Sequence, residues 1–148
     1  MRDGIRILRL PLFPDHSRSA FRRILSYASF MATSSLLGPF GSGKADVMYV
    51  FHPPLTIGMS AWLIGLIRHI PFVYGIHDLW PEAVVATGML KSRRLLDWLY
   101  RLERFVYRRA SAIAVVSPGY KRNLIGKGVP PDKVHVLTDW ANESIYQP

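Results

Sequence analysis

The stretch Pro71–Glu82, PFVYGIHDLWPE, decides the fold of this chain. Its apolar part, Phe72–Ile76, has the length and composition of a buried parallel strand. The polar part that follows contains Pro81, so the strand ends and a loop begins. Open α/β sheets bind their ligands in the crevice at the carboxyl ends of their strands. The stretch therefore predicts a central strand that brings polar side chains to a ligand crevice.

Similar apolar runs alternate with helical patterns on both sides of this stretch. Further strands are predicted at Ile5–Leu10, Asp46–Phe51, Ala112–Val116 and Val134–Leu137. Helices are predicted from Ser17 to a loop at Gly38–Gly43, at Leu55–Arg68, after the polar loop to about Thr87 with Gly88 as the stop, at Ser92–Arg109, and from Ser117 to Ile125. This alternation is typical of a parallel sheet with right-handed crossovers, and the run Asp46–Phe51 is typical of a strand covered on both faces. The predicted fold class is α/β, a Rossmann-like parallel sheet with flanking helices in one domain over residues 1–148.

The composition is that of a globular protein without cysteine chemistry. Of the 148 residues, 49% are hydrophobic and 20% are charged, which argues against disorder. The absence of cysteine excludes a disulfide scaffold, a cysteine nucleophile and a thiolate zinc site, and it fits a reducing cytoplasm. The first residues do not resemble a signal peptide, and the apolar region Pro53–Ile76 is interrupted by Arg68, His69 and Pro71. We therefore expect a cytoplasmic chain that does not span a membrane.

The chain is strongly basic, with 19 Lys and Arg against 10 Asp and Glu and a net charge of +9. Such a charge fits a solvated surface, but it also fits a nucleic acid, an anionic membrane or a phosphorylated substrate as partner. Part of it forms one face of the helix Ser92–Arg109, made of Arg94, Arg101, Arg104 and Arg108. The other face is an apolar stripe of Leu95, Trp98, Leu99, Leu102, Phe105, Val106 and Ala110. The pattern favours a solvated basic face on one side of the helix and ordinary core packing of the apolar stripe on the other.

The segment Gly38–Ala45, GPFGSGKA, nearly matches a phosphate-binding loop. Such a loop has to follow a strand and open a helix, because backbone amides and the helix dipole then meet the phosphates. Here a predicted helix precedes the segment and a predicted strand follows it. Ala45 also replaces the Ser or Thr that would hold magnesium. We interpret the segment as a linker.

The candidate site lies where the predicted strands end. His77, Asp78 and Glu82 follow the strand Phe72–Ile76, and His52 follows the preceding strand and faces the same edge. A neutral imidazole can hydrogen-bond a hydroxyl or a phosphate, and a carboxylate can accept the proton of an attacking hydroxyl. The structural alternative is that Asp78 or Glu82 caps the next helix and that His77 is simply hydrogen-bonded in the loop.

Two further candidates follow the next predicted strand. Ser117 and Gly119 open a helix, where exposed amides bind anions, although a serine at that position is more often only an N-cap. The remaining histidines, His16, His69 and His135, have no partners at the spacing of metal ligands. We therefore expect no metal site.

Four stretches resemble family 4 glycosyltransferases of the two-domain type called GT-B. They are DVMYVFHPPLTIG at Asp46–Gly58, PFVYGIHDLWPEA at Pro71–Ala83, LERFVYRRASAIAVVSPGYKRNL at Leu102–Leu124 and GVPPDKVHVLTDWANESIYQP at Gly128–Pro148. Their combination looks most similar to the branch that builds bacterial surface polysaccharides, including aminosugar and colanic-acid-type transferases. The resemblance covers essentially the whole chain and is weakest over residues 3–45.

The resemblance implies that residues 1–148 are an incomplete N-terminal, acceptor-side GT-B domain, truncated at both ends. In the family, two strands precede the segment similar to Ile5–Leu10, and a sugar-nucleotide domain follows the last strand of this domain. Thr138-Asp139-Trp140 stands where the family usually has Pro-Asn-Gly or Asn-Trp. The resemblance further implies retention of anomeric configuration, independence from a bound metal, and no cofactor besides the nucleotide-sugar donor, which is a substrate.

The resemblance also assigns roles to the candidate residues. It places His77 near the transferred sugar as a catalytic residue together with Asp78. Asp78 and Glu82 shape the acceptor side. The residues expected to contact substrate around the cleft are His52, Glu82, Ser117 and Gly119.

The implied function is transfer of a sugar from a nucleotide-sugar donor to a lipid-linked glycan in surface-polysaccharide synthesis. The basic surface would hold the protein on the anionic inner face of the plasma membrane. The absence of the family's first strands would leave strand edges and apolar helix faces uncovered, so we expect a marginally stable chain that is prone to aggregate unless the remainder is supplied in trans. We also expect these 148 residues alone to be inactive. Two alternatives remain open. One is a basic nucleic-acid-binding module, disfavoured because the aromatic residues follow apolar stripes, and the other is a non-catalytic remnant or subunit that needs a partner with a donor domain.

Overall fold

Four short apolar runs form the strands of one parallel sheet. A computed structural model describes residues 4–14, 20–41, 43–86, 88 and 92–139. In these residues the helices are α1 (Ala20–Gly41), α2 (Ile57–Arg68), α3 (Glu82–Ala86), α4 (Arg93–Arg109) and α5 (Pro118–Gly126). The strands are β1 (Met48–His52), β2 (Phe72–Ile76), β3 (Ala112–Val115) and β4 (Val134–Val136), the last preceded by a 3-10 helix at Pro131–Lys133. The predicted α/β class, a Rossmann-like parallel sheet with flanking helices, is confirmed.

The helices that connect the strands pack on one face of the sheet. The strands are all parallel and lie in the order β1-β2-β3-β4, so every crossover moves in the same direction. Right-handed connections then place the connecting helices on the same side. Val50, Tyr74 and Ile113 lie side by side in register on that side. They are buried in a single core with the inward residues of α2, α4 and α5.

The opposite face of the sheet is not covered by any helix in the described part of the chain. Successive side chains of a strand alternate between its faces, so Tyr49 and Phe51 point away from the core, and they are 51% and 59% exposed. The prediction that the strand at 46–51 is covered on both faces is wrong for these residues. We call this surface the open face. It is formed by Tyr49, Phe51, Val73, Gly75, Ala112, Ala114, His135 and Leu137.

The segment Ile5–Leu10 does not form the predicted strand. Ile5 makes an isolated bridge, and residues 6–10 belong to neither a strand nor a helix. A short alternating run becomes a strand only where a neighbouring edge accepts its hydrogen bonds. This segment instead passes along the end of α1, where Leu8 packs against Gly41. Its apolar residues are largely exposed, with Ile5 at 67%.

Helix α1 continues for three residues past its predicted end at Gly38. Packing against α2 explains this extra turn, because a Cβ on Gly38 would lie only 2.7 Å from Cδ1 of Ile64. The guanidinium of Arg68 donates to the carbonyls of Pro39 at 2.7 Å and Gly43 at 3.1 Å, which satisfies acceptors at the helix end. The segment still joins a helix to a strand, so it is a linker, as predicted, and not a phosphate-binding loop.

The other elements agree with the sequence prediction, and β2 has the predicted bounds at both ends. Apart from α1, whose predicted start lies outside the described residues, no other strand or helix boundary in those residues differs by more than two residues. Gly88 has a φ of 65°, the left-handed conformation expected where a helix stops. The predicted cap Ser17 and the predicted helix end at Thr87 lie outside the described residues. None of the helices in the described part of the chain is long and apolar enough to cross a membrane.

Candidate functional site

The carboxyl ends of β1, β2 and β3 bring several candidate residues to one edge of the sheet. His52, the last residue of β1, pairs in register with Ile76, and Ile76 pairs with Val115. His77 follows Ile76 directly, and Ser117 comes two residues after Val115. The prediction that these strand ends lie together is confirmed.

His77 lies on the side of the open face, where its ring stacks on Phe51. The two ring centroids are 4.0 Å apart, and the ring planes make an angle of 23°. Its Nδ1 atom is 3.4 Å from Oδ2 of Asp139, a residue that follows β4. The His77 side chain is 18% exposed, so a ligand at this edge can reach it. The stacking contact and the contact with Asp139 together fix the orientation of the imidazole.

His52 lies on the helix-covered side of the sheet and is buried inside the domain. It is 2% exposed, and its ring centroid is 5.5 Å from that of Tyr74 and 6.4 Å from that of Trp80. Burial, and to a smaller extent the nearby His77, lowers the pKa of His52 to about 4, so its imidazole is neutral at neutral pH. Neither ring nitrogen has a hydrogen-bond partner in the described residues. Contact between His52 and a substrate stays a prediction, because in this conformation the ring does not reach the surface.

Asp78 lies beside His77 in the loop between β2 and α3. Its side chain is half-buried, and it forms no ion pair or hydrogen bond with another described residue. The backbone makes the first turn of α3 without it, since the Ala83 amide donates to the Leu79 carbonyl at 2.8 Å. The carboxylate of Asp78 can therefore accept a hydrogen bond from a ligand at this edge.

Glu82 belongs to an ion cluster at the junction of α3, α4 and the end of α5. The Nζ atom of Lys127 lies 2.6 Å from Oε1 of Glu82 and 2.5 Å from Oε1 of Glu103. Glu103 is 1% exposed and also forms a side-chain hydrogen bond with Tyr107. We call these four residues the Lys127 cluster. The contacts of Glu82 that the structure shows are thus structural, and its contact with an acceptor stays a prediction.

The protonation states of the cluster follow from burial and pairing. Burial raises the pKa of Glu103, although the hydrogen bond and the charge of Lys127 oppose this. Burial disfavours the charged form of Lys127, but its hydrogen bonds to the two carboxylates outweigh that effect, and its pKa is raised. Burial and the Glu103 charge raise the pKa of Tyr107 far above its usual range, so its hydroxyl remains a donor. The cluster therefore keeps its ammonium and fixes the helix that follows the candidate loop.

Ser117 caps α5, as the structural alternative for this residue predicts. Its Oγ accepts a hydrogen bond from the Tyr120 amide at 3.3 Å. Gly119 lies exposed in the first turn, and a Cβ there would be 3.6 Å from its nearest neighbour, the Ser117 Oγ. No contact in the described residues therefore requires glycine at this position. Anion binding by these residues stays a prediction.

Sequence reasoning missed Asp139 and the partners of Lys127. Asp139 stands out in the sequence only as a departure from the family pattern, and no local signal indicates that it reaches His77. Glu103 lies in a strongly basic helix, where its spacing from arginines fits an ordinary surface pair. Both contacts join elements that are distant along the chain, which a local pattern does not encode.

A concave surface away from this edge lies on the half of α4 that leads into β3. A groove of about 580 Å³ is lined there by Arg101, Arg104, Phe105, Arg108 and Arg109. Arg109 lies over the rings of Phe105 and Trp62, at 5.4 and 5.9 Å from their centroids. Trp98, predicted to lie in the buried stripe, is 52% exposed, so that prediction is wrong, because α4 packs on the core through Leu99 and the residues in line with it. We call Trp98 and the five groove residues the arginine face.

These features define a class of protein, a Rossmann-like α/β domain with hydrogen-bonding side chains at the carboxyl edge of its sheet. Among the described residues, no group of three or more His, Asp or Glu side chains is placed to hold a metal ion. Residues 1–140 match the family model described as a glycosyl transferase 4-like domain, and the chain belongs to this family. The resemblance to family 4 glycosyltransferases is confirmed at this level. No curated protein matches the chain.

Proposed function

We propose that this domain is the acceptor-side part of a glycosyltransferase. The donor is a nucleotide sugar, and the acceptor is a glycan on a lipid carrier in bacterial surface-polysaccharide synthesis. The observation that supports this most is the oriented, partly exposed His77 at the carboxyl edge of the sheet in a glycosyl transferase 4-like domain. That edge is where parallel α/β sheets form their ligand crevices.

The proposed reaction assigns different tasks to His77 and Asp78. The acceptor oxygen forms a bond to the anomeric carbon of the donor sugar, and the bond from that carbon to the diphosphate oxygen of the nucleotide breaks. His77 accepts a hydrogen bond from a hydroxyl of the transferred sugar and so orients that sugar. The Asp78 carboxylate, which has no partner in the described residues, accepts the proton that the attacking hydroxyl loses. The nucleotide leaves with both electrons of the broken bond.

The other candidate residues support the loop and the acceptor. Glu82 holds the start of α3 through Lys127 and so positions the loop that precedes it. Ser117 and Gly119 lie at the amino end of α5, where backbone amides and the helix dipole favour an anion such as the diphosphate of a lipid carrier. His52 lies beneath the edge and supports it by packing on Trp80.

The arginine face supports a place for the chain on the anionic cytoplasmic surface of the plasma membrane. It combines guanidinium groups with the exposed ring of Trp98, and aromatic rings of this kind prefer the headgroup region. The same combination is also found in nucleic-acid-binding surfaces, which keeps a basic nucleic-acid-binding module as the second candidate. The donor-binding domain is a further proposed partner, in the same polypeptide or in trans.

Binding of an acceptor analogue to the full 148-residue chain tests the proposal. The probe is a short-chain polyprenyl diphosphate that carries one sugar, titrated into isotopically labelled protein and followed by NMR. We expect signals of the loop at 77–82 to shift. Asp78→Ala removes the carboxylate proposed to face the attacking hydroxyl, and we expect it to weaken binding by about tenfold, the worth of one hydrogen bond. Asp132→Ala, which removes an exposed acid of the 3-10 helix, is the matched control. Unchanged binding in Asp78→Ala would contradict the proposed site.

Mixing the chain with a separately produced donor domain of the family then separates an enzyme from a remnant. Transfer of labelled sugar that requires both parts supports the acceptor-side assignment. Acceptor binding without transfer in any mixture supports a non-catalytic remnant or subunit instead.

A further inference from the structure

Asp139 reaches His77 across the width of two strands. Strand β4 is separated from β2 by β3, and neighbouring strands lie about 4.8 Å apart. The Leu137 amide still pairs with the Val115 carbonyl at 2.8 Å, and two residues later Oδ2 of Asp139 lies 3.4 Å from Nδ1 of His77. The chain after β4 therefore turns back over the end of β3 and places a carboxylate beside the imidazole.

Two aromatic residues of β1 complete the surroundings of this pair. Phe51 stacks on the His77 ring, and Tyr49, two residues earlier on the same face, lies against Gly75. Burial and, to a smaller extent, the charge of Asp139 raise the pKa of the Tyr49 phenol, so Asp139 also acts on Tyr49. His77 and Asp139 thus lie beside the rings of Tyr49 and Phe51 on the open face of β1.

We infer that Asp139 is the positioning residue of His77. Its carboxylate accepts a hydrogen bond from Nδ1–H and so selects the tautomer in which Nε2 carries the lone pair. The hydrogen bond at one ring nitrogen determines which form the other nitrogen takes. The functional consequence rests on the proposed function, because it is Nε2 that would then accept a hydrogen bond from a sugar hydroxyl.

The exposure of Asp139 favours this positional role over a structural one. The Asp139 side chain is 67% exposed, and a contact of so exposed a carboxylate contributes little to folding stability. Nδ1 and Oδ2 are 3.4 Å apart, a separation that can shorten to a hydrogen bond when a ligand binds. Asp78, although adjacent in sequence, forms no such pair in the described residues.

The tautomer of His77 in the full chain tests the inference without any substrate. Long-range ¹H–¹⁵N spectra distinguish the two neutral tautomers when recorded about two pH units above the ordinary histidine pKa of about 6.5. His77→Gln identifies the signals of His77 among the five histidines. We expect the Nδ1-protonated form to dominate in the unmodified chain, whereas isolated histidine prefers the Nε2-protonated form.

Replacement of Asp139 supplies the decisive comparison. We expect Asp139→Ala to shift the tautomer ratio several-fold towards the Nε2-protonated form, and Asp139→Glu, which keeps a carboxylate that can only accept, to restore part of the original ratio. Asp132→Ala removes an exposed acid from the 3-10 helix and should leave the ratio unchanged. An Nε2-protonated His77 in the unmodified chain, or an unchanged ratio in Asp139→Ala, overturns the inference. Because no acceptor is present, this result is independent of whether the acceptor titration succeeds.

Discussion

The ammonium nitrogen of Lys127 lies 2.5 Å from the carboxylate of Glu103, a side chain that is 1% exposed. The same nitrogen lies 2.6 Å from Glu82, at the start of the short helix after the candidate loop. A buried carboxylate that loses its counter-ion keeps the full cost of desolvation. The position of α3, and with it the loop that carries His77 and Asp78, therefore depends on one lysine.

Replacing Lys127 with methionine removes the counter-ion and leaves Glu103 buried. We expect Lys127→Met to lower the free energy of unfolding by about 3–5 kcal/mol, as breaking one side of a buried pair usually does. Urea denaturation followed by circular dichroism measures this. Lys121→Met on α5 is the matched control and should change it by less than about 0.5 kcal/mol. The double change Lys127→Met with Glu103→Leu should recover most of the loss, and a loss below about 1 kcal/mol in Lys127→Met would rule out this role for the cluster.

The stability of the domain should depend on pH through His52. Its pKa is lowered to about 4 in the folded state from 6.5, so the unfolded state binds the proton more tightly. The resulting stability is fully present above pH 6.5 and is lost as the pH falls towards 4, by roughly 3 kcal/mol for the difference between the two pKa values. The raised pKa of Glu103 acts in the opposite sense, since it favours the folded state as the pH falls.

Comparison with a variant isolates the contribution of His52. Unfolding free energies of the unmodified chain and of His52→Phe are measured by urea denaturation between pH 7 and 4. We expect His52→Phe to flatten the profile, and His69→Gln, which changes an exposed histidine, to leave it unaltered. An equally steep profile in His52→Phe would assign the acid sensitivity to other groups.

Gly58 allows α2 to approach α4. A Cβ on Gly58 would lie 2.5 Å from Cγ1 and 2.7 Å from Cγ2 of the buried Val106. We expect Gly58→Ala to lower the free energy of unfolding by about 1–3 kcal/mol, the usual cost of overpacking. Gly126→Ala is the control, because nothing lies within 4 Å of a Cβ there. Adding Val106→Ala should make room for the new methyl group, so the double variant should lose less than the sum of the single losses, and simple additivity would contradict the contact.

The sheet was largely predictable from the sequence, because its strands are short apolar runs that end in polar or proline-containing loops. Phe72–Ile76 carries this signal in full, and the structure gives the same bounds. The run Ile5–Leu10 is also rich in apolar residues, but in the described part of the chain only Ile5 forms a bridge and no strand pairs along the run. Whether a face is covered is likewise a tertiary property, and Tyr49 on the open face looks no different in sequence from a buried tyrosine.

The candidate site was predictable only in part. The rule that the carboxyl ends of parallel strands meet at one edge of the sheet correctly predicts that His77 and Ser117 lie at the same edge. It placed His52 on the same surface because the predicted strand ended at Phe51. With β1 one residue longer, the two-residue alternation puts His52 on the buried side with Val50 and leaves Phe51 to stack on His77.

The open face should make the chain self-associate. Tyr49, Phe51 and Leu137 are 51%, 59% and 58% exposed, and β1 lies at one end of the strand order in the described sheet. Exposed apolar surface beside a free strand edge favours association. We expect concentration-dependent oligomers in sedimentation velocity, and a smaller average mass for Tyr49→Lys with Leu137→Lys. Val85→Lys, at an exposed position on α3, should not reduce it. A stable monomer that unfolds cooperatively at high temperature would contradict this prediction.

The arginine face should bind anionic bilayers. Each basic residue near such a surface contributes about 1 kcal/mol, so removing three charges should weaken binding to phosphatidylglycerol vesicles by about a hundredfold. The variant changes Arg101, Arg104 and Arg108 to glutamine, and co-sedimentation measures its partition. A control with the same loss of charge carries glutamine at Arg6, Arg9 and Arg122. We expect this control to lose much less vesicle binding, because the location of the charges matters and not only their number. Neutral phosphatidylcholine vesicles should not bind. Displacement of the chain from the vesicles by single-stranded RNA would instead favour the nucleic-acid-binding module. The same conclusion requires that the triple variant lose as much affinity for the RNA as it loses for the vesicles.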